Sequence, residues 1–137
     1  MPSRNIKDCV PQLQDAWNKA SAQFISQFPN LPKPFLTCTH RTEEEQAELY
    51  AQGRTKKGKI VTQLKKGSKH NFFPAHAFDI GFVRKDRALD WSPENFKLFA
   101  EIVKQVAPEV KWGGNWKKFR DLPHFEIQID TADGATS

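Results

Sequence analysis

Three residues spread along the chain are of types that can share one cation: His70 and Asp79 in SKHNFFPAHAFDI, and His124 in DLPHFEI. Two imidazoles and one carboxylate can hold Zn²⁺ and leave a fourth position for water, which is the donor set of hydrolytic sites. Asp121, shortly before His124, is placed to act as the base on that water. The same residues would also serve a buried hydrogen-bonded network, and residue types alone do not separate the two readings. Asp79 adds a constraint, because it interrupts the apolar run HAFDIGFV. A carboxylate inside an apolar strand needs a partner.

Dispersed residues need elements that bring them together. HAFDIGFV, 76–83, reads as a central strand and 124–129 as another. Adjacent strands would set Asp79 and His124 side by side on one sheet face. PFLTCTHR, 34–41, alternates and reads as a strand with Cys38 on its buried side, and 110–112 as a further short one. Residues 12–28 place Leu13, Trp17, Phe24, Ile25 and Phe28 at three- and four-residue steps, an amphipathic helix entered at Pro11 and ended by Pro29. Ile6, Cys9 and Val10 suggest a short helical turn before it. TEEE makes Thr42 the cap of a second helix, with Glu45 reaching back; it carries Gln46, Leu49 and Tyr50 and stops at Gly53. Ser92 and Pro93 open a third, whose buried face is Phe96, Phe99, Ile102, Val103 and Val106, and Pro108 closes it. Between 54 and 70 the chain is a loop with a short strand, anchored by Ile60 and Val61, and TADGATS is a solvated tail. This order predicts an α+β fold, a small antiparallel sheet flanked by helices, with the single candidate zinc site on the sheet face.

A chain of 137 residues with 38% hydrophobic content predicts one compact domain over 1–137, with one active site, no room for a separate binding domain and a monomeric state. No apolar run reaches the roughly 18 residues of a membrane span, and MPSRNIKDCV lacks the order of a secretory signal. Synthesis in the cytoplasm is the expectation. Cys9 and Cys38 form no framework and no CxxC occurs, so buried reduced thiols are expected. Net charge is +5, and Arg54, Lys56, Lys57, Lys59, Lys65, Lys66 and Lys69 fall in a stretch without an acid. An anionic partner follows, either nucleic acid or an envelope polymer, and charge does not choose between them.

The motifs do choose. SKH, AFDI and DLPHFE match the SxH, AxDI and DxPHFE pattern, so the chain resembles the family of zinc D-Ala-D-Ala carboxypeptidases and L-alanyl-D-glutamate endopeptidases, which includes phage endolysins. The resemblance extends upstream through HRTEEEQAELYAQGRTKKGKIVTQ and includes WGGNW, so it runs in order from about Phe35 to Ile127. It implies that His70, Asp79 and His124 are zinc ligands and Asp121 is the catalytic base. Arg41 matches the arginine that steadies the developing oxyanion, and Ser68 the serine that helps hold substrate. Gln46 and Trp112 are candidate substrate-side residues: Gln46 either supports Arg41 or packs, and Trp112 either lines a peptide groove with Trp116 or anchors the core. Gly113 and Gly114 allow backbone conformations that other residues resist.

Two departures from the pattern bear on the site. Many members space the first ligand pair more closely, whereas here FFPAH lengthens the step and supplies His76 as a rival ligand. Some members use glutamate as base, and Glu126 shares a strand face with His124, which makes it the rival of Asp121. His40 beside Cys38 reads as a pocket-lining histidine next to a core thiol rather than as a second zinc site.

The resemblance implies a metallopeptidase acting on peptide stems of bacterial peptidoglycan, at the L-Ala to D-Glu bond, in an endolysin that reaches the wall or periplasm once the membrane is permeabilised. The alternatives are a D-Ala-D-Ala carboxypeptidase or dipeptidase, and, from another class, a non-catalytic zinc or wall-binding module. Its partners would be peptide stems and anionic envelope polymers, with no nucleic acid expected.

Overall fold

The computed structural model describes residues 2–62, 64, 67–118 and 120–129. Lys65 and Lys66 of the basic stretch, and the TADGATS tail, lie outside the described residues.

Helix α1 (Pro11–Gln27) starts on a proline, whose fixed φ and missing N–H suit a first turn. Its buried face is Leu13, Ala16, Ala20 and Phe24. Small alanines thus let the helix approach the sheet closely, and Ile25, expected inside, is 38% exposed. Strand β1 (Lys33–Cys38) ends earlier than the alternation suggested. The register shifts between Leu36 and Cys38, and beyond it Thr39 N donates to Ser3 O, so the N-terminal segment takes over the pairing.

Helix α2 (Glu43–Ala51) forms the expected capping box: Thr42 Oγ1 accepts from Glu45 N at 3.0 Å, and Glu45 Oε1 from Thr42 N at 2.8 Å. Only Gln46 of this helix is buried. Gly53, at φ +80°, then turns the chain where a Cβ would stand 2.7 Å from Ile60 N. The loop that follows has no strand among the described residues, and Ile60 and Val61 are exposed rather than anchors. Polar bonds hold it instead: Arg54 donates to Tyr50 O at 2.6 Å and Thr62 O at 3.1 Å, and Gln52 to Lys59 O at 3.0 Å.

Strand β2 (Ala77–Val83) follows, then α3 (Pro93–Val106), β3 (Lys111–Trp112) and β4 (His124–Glu126). All pairings are antiparallel in the order β1-β2-β4-β3. The α+β fold with a small antiparallel sheet is as expected, although β4 is shorter than 124–129. Alternation along β2 sends Phe78, Ile80 and Phe82 toward α1 and α3, where Phe24, Phe96, Phe99 and Phe125 interlock with them. Each such ring, fully buried, contributes about 2–3 kcal/mol of transfer free energy. Asp79 points to the opposite face, clear of this core.

Candidate metal centre

Asp79 on the central strand pairs with Cys38 on one side and His124 on the other, so three polar-capable residues line up across β1, β2 and β4. His70 comes from outside the sheet, on a short 3-10 turn, Lys69–Asn71. Ser68 Oγ accepts from His70 N at 3.2 Å, and Asn71 Oδ1 accepts from Ser68 N at 3.0 Å, a reciprocal cap that sets the turn. Arg41 locks it to the end of β1: its N–H donates to His70 O at 2.9 Å, and Asn71 Nδ2 donates to Arg41 O at 2.8 Å.

One ligand atom from each of His70, Asp79 and His124 lies within 4.8 Å of the other two. His70 Nε2 is 3.1 Å and His124 Nδ1 2.9 Å from the same Asp79 oxygen, and the two nitrogens are 3.3 Å apart. Each far nitrogen has its own acceptor. His70 Nδ1 donates to Thr39 O at 2.7 Å, and His124 Nε2 to Glu126 Oε1 at 2.8 Å. With the far nitrogen protonated, the near one offers its lone pair inward, so this donor set fits a divalent cation.

Charges at the cluster lean on one another. Burial works against the Asp79 carboxylate, but both histidines outweigh it and hold its pKa well below the usual range. Burial also opposes charge on the rings, yet Asp79 raises His70 to about 10 and, with Glu126, His124 to about 9. Asp121 behaves differently: burial, and then the Asp79 charge, raise its carboxyl, against the pull of His124, His70 and Arg41. A raised carboxyl facing a cluster of ligands is suited to proton transfer.

His70, Asp79 and His124 open onto a cavity of about 420 Å³, with Arg41, Ser68 and Asp121 on its wall. Arg41 Nη1 donates to Gln46 Oε1 at 2.7 Å and Nη2 to Cys38 Sγ at 3.4 Å, while Nη2 is 3.9 Å from Asp79 Oδ2. Gln46 does not line the cavity. Its buried amide is used up by Arg41, by Leu64 O at 2.6 Å and by Thr62 Oγ1 at 3.3 Å, so it supports the arginine from behind. Ser68 is on the wall but nearly closed off, with its hydroxyl capping the His70 turn.

Trp112 is elsewhere, in a separate cavity with Val103 and Lys104, and its indole N–H donates to Leu122 O at 2.7 Å. Trp116 is the tryptophan on the wall, its ring 5.2 Å from that of His124. His76 stays outside the ligand cluster: its ring stacks on Phe72 at 4.3 Å, and burial with nearby Lys69 lowers its pKa. His40 meets Phe73 edge to face. Asn71 was overlooked in the sequence although SKHN carries the spacing of a cap; Thr39 acts through a carbonyl, which leaves no mark on residue type.

Gly113 explains how Asp121 reaches the cavity. A Cβ there would lie 2.4 Å from Asp121 O and 3.2 Å from the His124 Cβ. The glycine is needed for close approach rather than for an unusual φ, and its carbonyl accepts from Asp121 N at 3.1 Å.

Comparison with known proteins finds related sequences and a related fold. Residues 62–127 match the family described as D-alanyl-D-alanine carboxypeptidase. The chain is 41% identical over 102 residues to the peptidoglycan L-alanyl-D-glutamate endopeptidase CwlK of Bacillus subtilis (strain 168), an alignment covering 67% of this chain and 59% of that protein. The chain thus spans about three fifths of the length of this relative. In fold it is similar to the Serratia marcescens L-Ala D-Glu endopeptidase ChiX, with a TM-score of 0.67 at 23% identity, covering 93% of this chain and 89% of the other.

Proposed function

We infer, for a chain whose residues 62–127 fall within the D-alanyl-D-alanine carboxypeptidase family, a metal-dependent peptidase that hydrolyses peptide stems of bacterial peptidoglycan at the L-Ala to D-Glu bond. The observation that carries the reading is the ligand cluster itself: three inward donors within 4.8 Å, with both histidines fixed from behind by Thr39 and Glu126. The bond assignment rests on the 41% identity to an enzyme named for that bond.

Zinc is the metal proposed, because two imidazoles and one carboxylate with an open position are its hydrolytic donor set; it would polarise the peptide carbonyl and acidify the attacking water. Asp121 accepts the proton of that water at a carboxylate oxygen and returns it to the nitrogen of the leaving amine. Its raised pKa suits both halves of this exchange. Arg41, oriented by Gln46 and Cys38, has guanidinium donors to spare for the oxygen that gains charge as the carbonyl is attacked. Glu126 is occupied by His124, which favours Asp121 over it as base. Ser68 contributes chiefly by holding the His70 turn.

In the cell, the proposal is an endolysin, lysing its host from the inner side of the wall after membrane permeabilisation. Among the described residues no helix is long and apolar enough to cross a membrane. Loss of turbidity by permeabilised cells, with stem fragments identified by mass, tests the proposal. Fragments ending in L-Ala and beginning with D-Glu are expected. Release of D-Ala alone would move the chain to the second reading, the carboxypeptidase activity that the matched family description names.

A further inference from the structure

Three cations line the cavity that holds the ligand cluster: Arg41, Lys69 and Lys118. Arg41 is oriented by Gln46 and Cys38 and its remaining donors serve the carbonyl oxygen in the proposed reaction, and Lys69 Nζ donates to Gln128 Oε1 at 3.1 Å. Lys118 differs. Among the described residues its ammonium makes no hydrogen bond or ion pair, although it shares the wall with Trp116 and Asp121. Asp79, Asp121 and Glu126 already bring three carboxylates to this space. An anionic substrate group entering it needs a cation of its own.

The substrate of the proposed reaction carries such a group. D-Glu in a peptidoglycan stem is extended through its γ-carboxyl, so its α-carboxylate is free and sits on the carbon that bears the scissile nitrogen. Any pose that brings the L-Ala to D-Glu bond to the metal brings this carboxylate into the same cavity. We propose that Lys118 is the specificity-determining residue that receives the α-carboxylate of D-Glu, so that the enzyme distinguishes stems with free D-Glu from stems in which this group is a carboxamide. Trp116, packed over His124, fixes the start of the segment that carries Lys118. The inference rests on the peptidase reading above and adds to it which stem chemistry is accepted.

A substrate and variant cycle tests it. Two stem peptides are compared, identical except for a free α-carboxylate or an α-carboxamide on the D-glutamyl residue, with kcat and KM measured for wild type, Lys118→Gln and Lys118→Glu. Wild type should prefer the carboxylate by about tenfold in kcat/KM, the scale of a charge-assisted over a neutral hydrogen bond. Lys118→Gln should bring that ratio close to one through a raised KM on the carboxylate peptide, and Lys118→Glu should invert it. Equal cleavage of both peptides by wild type, or an equal loss on both in Lys118→Gln, overturns the role of Lys118. Cleavage of neither peptide overturns the peptidase reading itself and this inference with it, so the two failures are told apart.

Discussion

His124 Nε2 donates to Glu126 Oε1 at 2.8 Å while Nδ1 of the same ring faces Asp79 Oδ1 at 2.9 Å. Glu126 therefore holds the ring by its back and increases the basicity of the nitrogen aimed inward. Glu126→Ala should keep the fold and weaken metal affinity about 10–100-fold, read by titration against a competing chelator. An unchanged affinity together with lost activity would make Glu126 the base after all.

Asp121 and His124 are neighbours to which the proposal gives separable tasks. Asp121→Ala should bind metal and melt like wild type yet lose about 10²–10⁴-fold in kcat, the range for a missing general base. His124→Ala should lose both metal and lysis. Lysis at the wild-type rate by Asp121→Ala removes it as the base.

How far these roles could be read from the sequence depends on what carried each signal. Asp79 and His124 were legible because strand alternation has period two, and a carboxylate among Phe78, Ile80 and Phe82 marks the opposite face. The capped helix at Thr42 was equally plain, since a capping box is local chemistry. Trp112 and Trp116 were not separable. Their places depend on a two-residue strand and the Gly113–Asn115 turn, which tertiary packing fixes and periodicity does not describe. Ile60 and Val61 misled for a related reason: Gln46 and Arg54 tie their loop down by bonds to carbonyls, so no apolar anchor is needed.

The proposed ligand histidines also predict how metal binding follows pH. In the metal-free chain His70 and His124 sit near 10 and 9 rather than the usual 6.5, so at neutral pH a metal has to displace their protons. Affinity should keep rising past pH 7, by about tenfold per unit for each proton displaced, with proton release on binding. The sign for stability follows from the same shifts. Raised histidines contribute fully below about 6.5 and lose that contribution as pH climbs through 9 to 10; Asp79, held low, contributes above about 4 and loses it as pH falls. Metal-free protein should thus melt highest near pH 5–6. Affinity that levels off by pH 7 contradicts the raised values.

In the proposed reaction Gln46 acts only through Arg41, so its removal has a signature of its own. Gln46→Ala removes the partner of Arg41 Nη1 and of Leu64 O, both only part-buried, costing about 0.5–1.5 kcal/mol in denaturant unfolding. Metal affinity should hold while kcat falls. A rise in KM alone, with kcat intact, would instead place Gln46 against substrate.

Gly113→Ala tests whether close approach sets the position of Asp121. The added Cβ would meet a backbone oxygen, Asp121 O, at 2.4 Å, and no rotamer change relieves a clash between two main-chain segments. The turn or the Asp121–His124 segment has to shift, at a cost of about 1–3 kcal/mol by analogy with overpacked cores. His124 is held by Asp79, its strand partner as well as its side-chain partner, and by Glu126, whereas among the described residues the Asp121 side chain has no such anchors and its backbone is held only by bonds to Gly113 O and from His124 N. The shift should therefore fall on Asp121. Activity should drop by about 10²-fold, as for a roughly 1 Å misplacement of a reacting group, while metal affinity falls much less. Gly113→Ala that loses metal and activity in equal measure would show instead that the two residues move as one body.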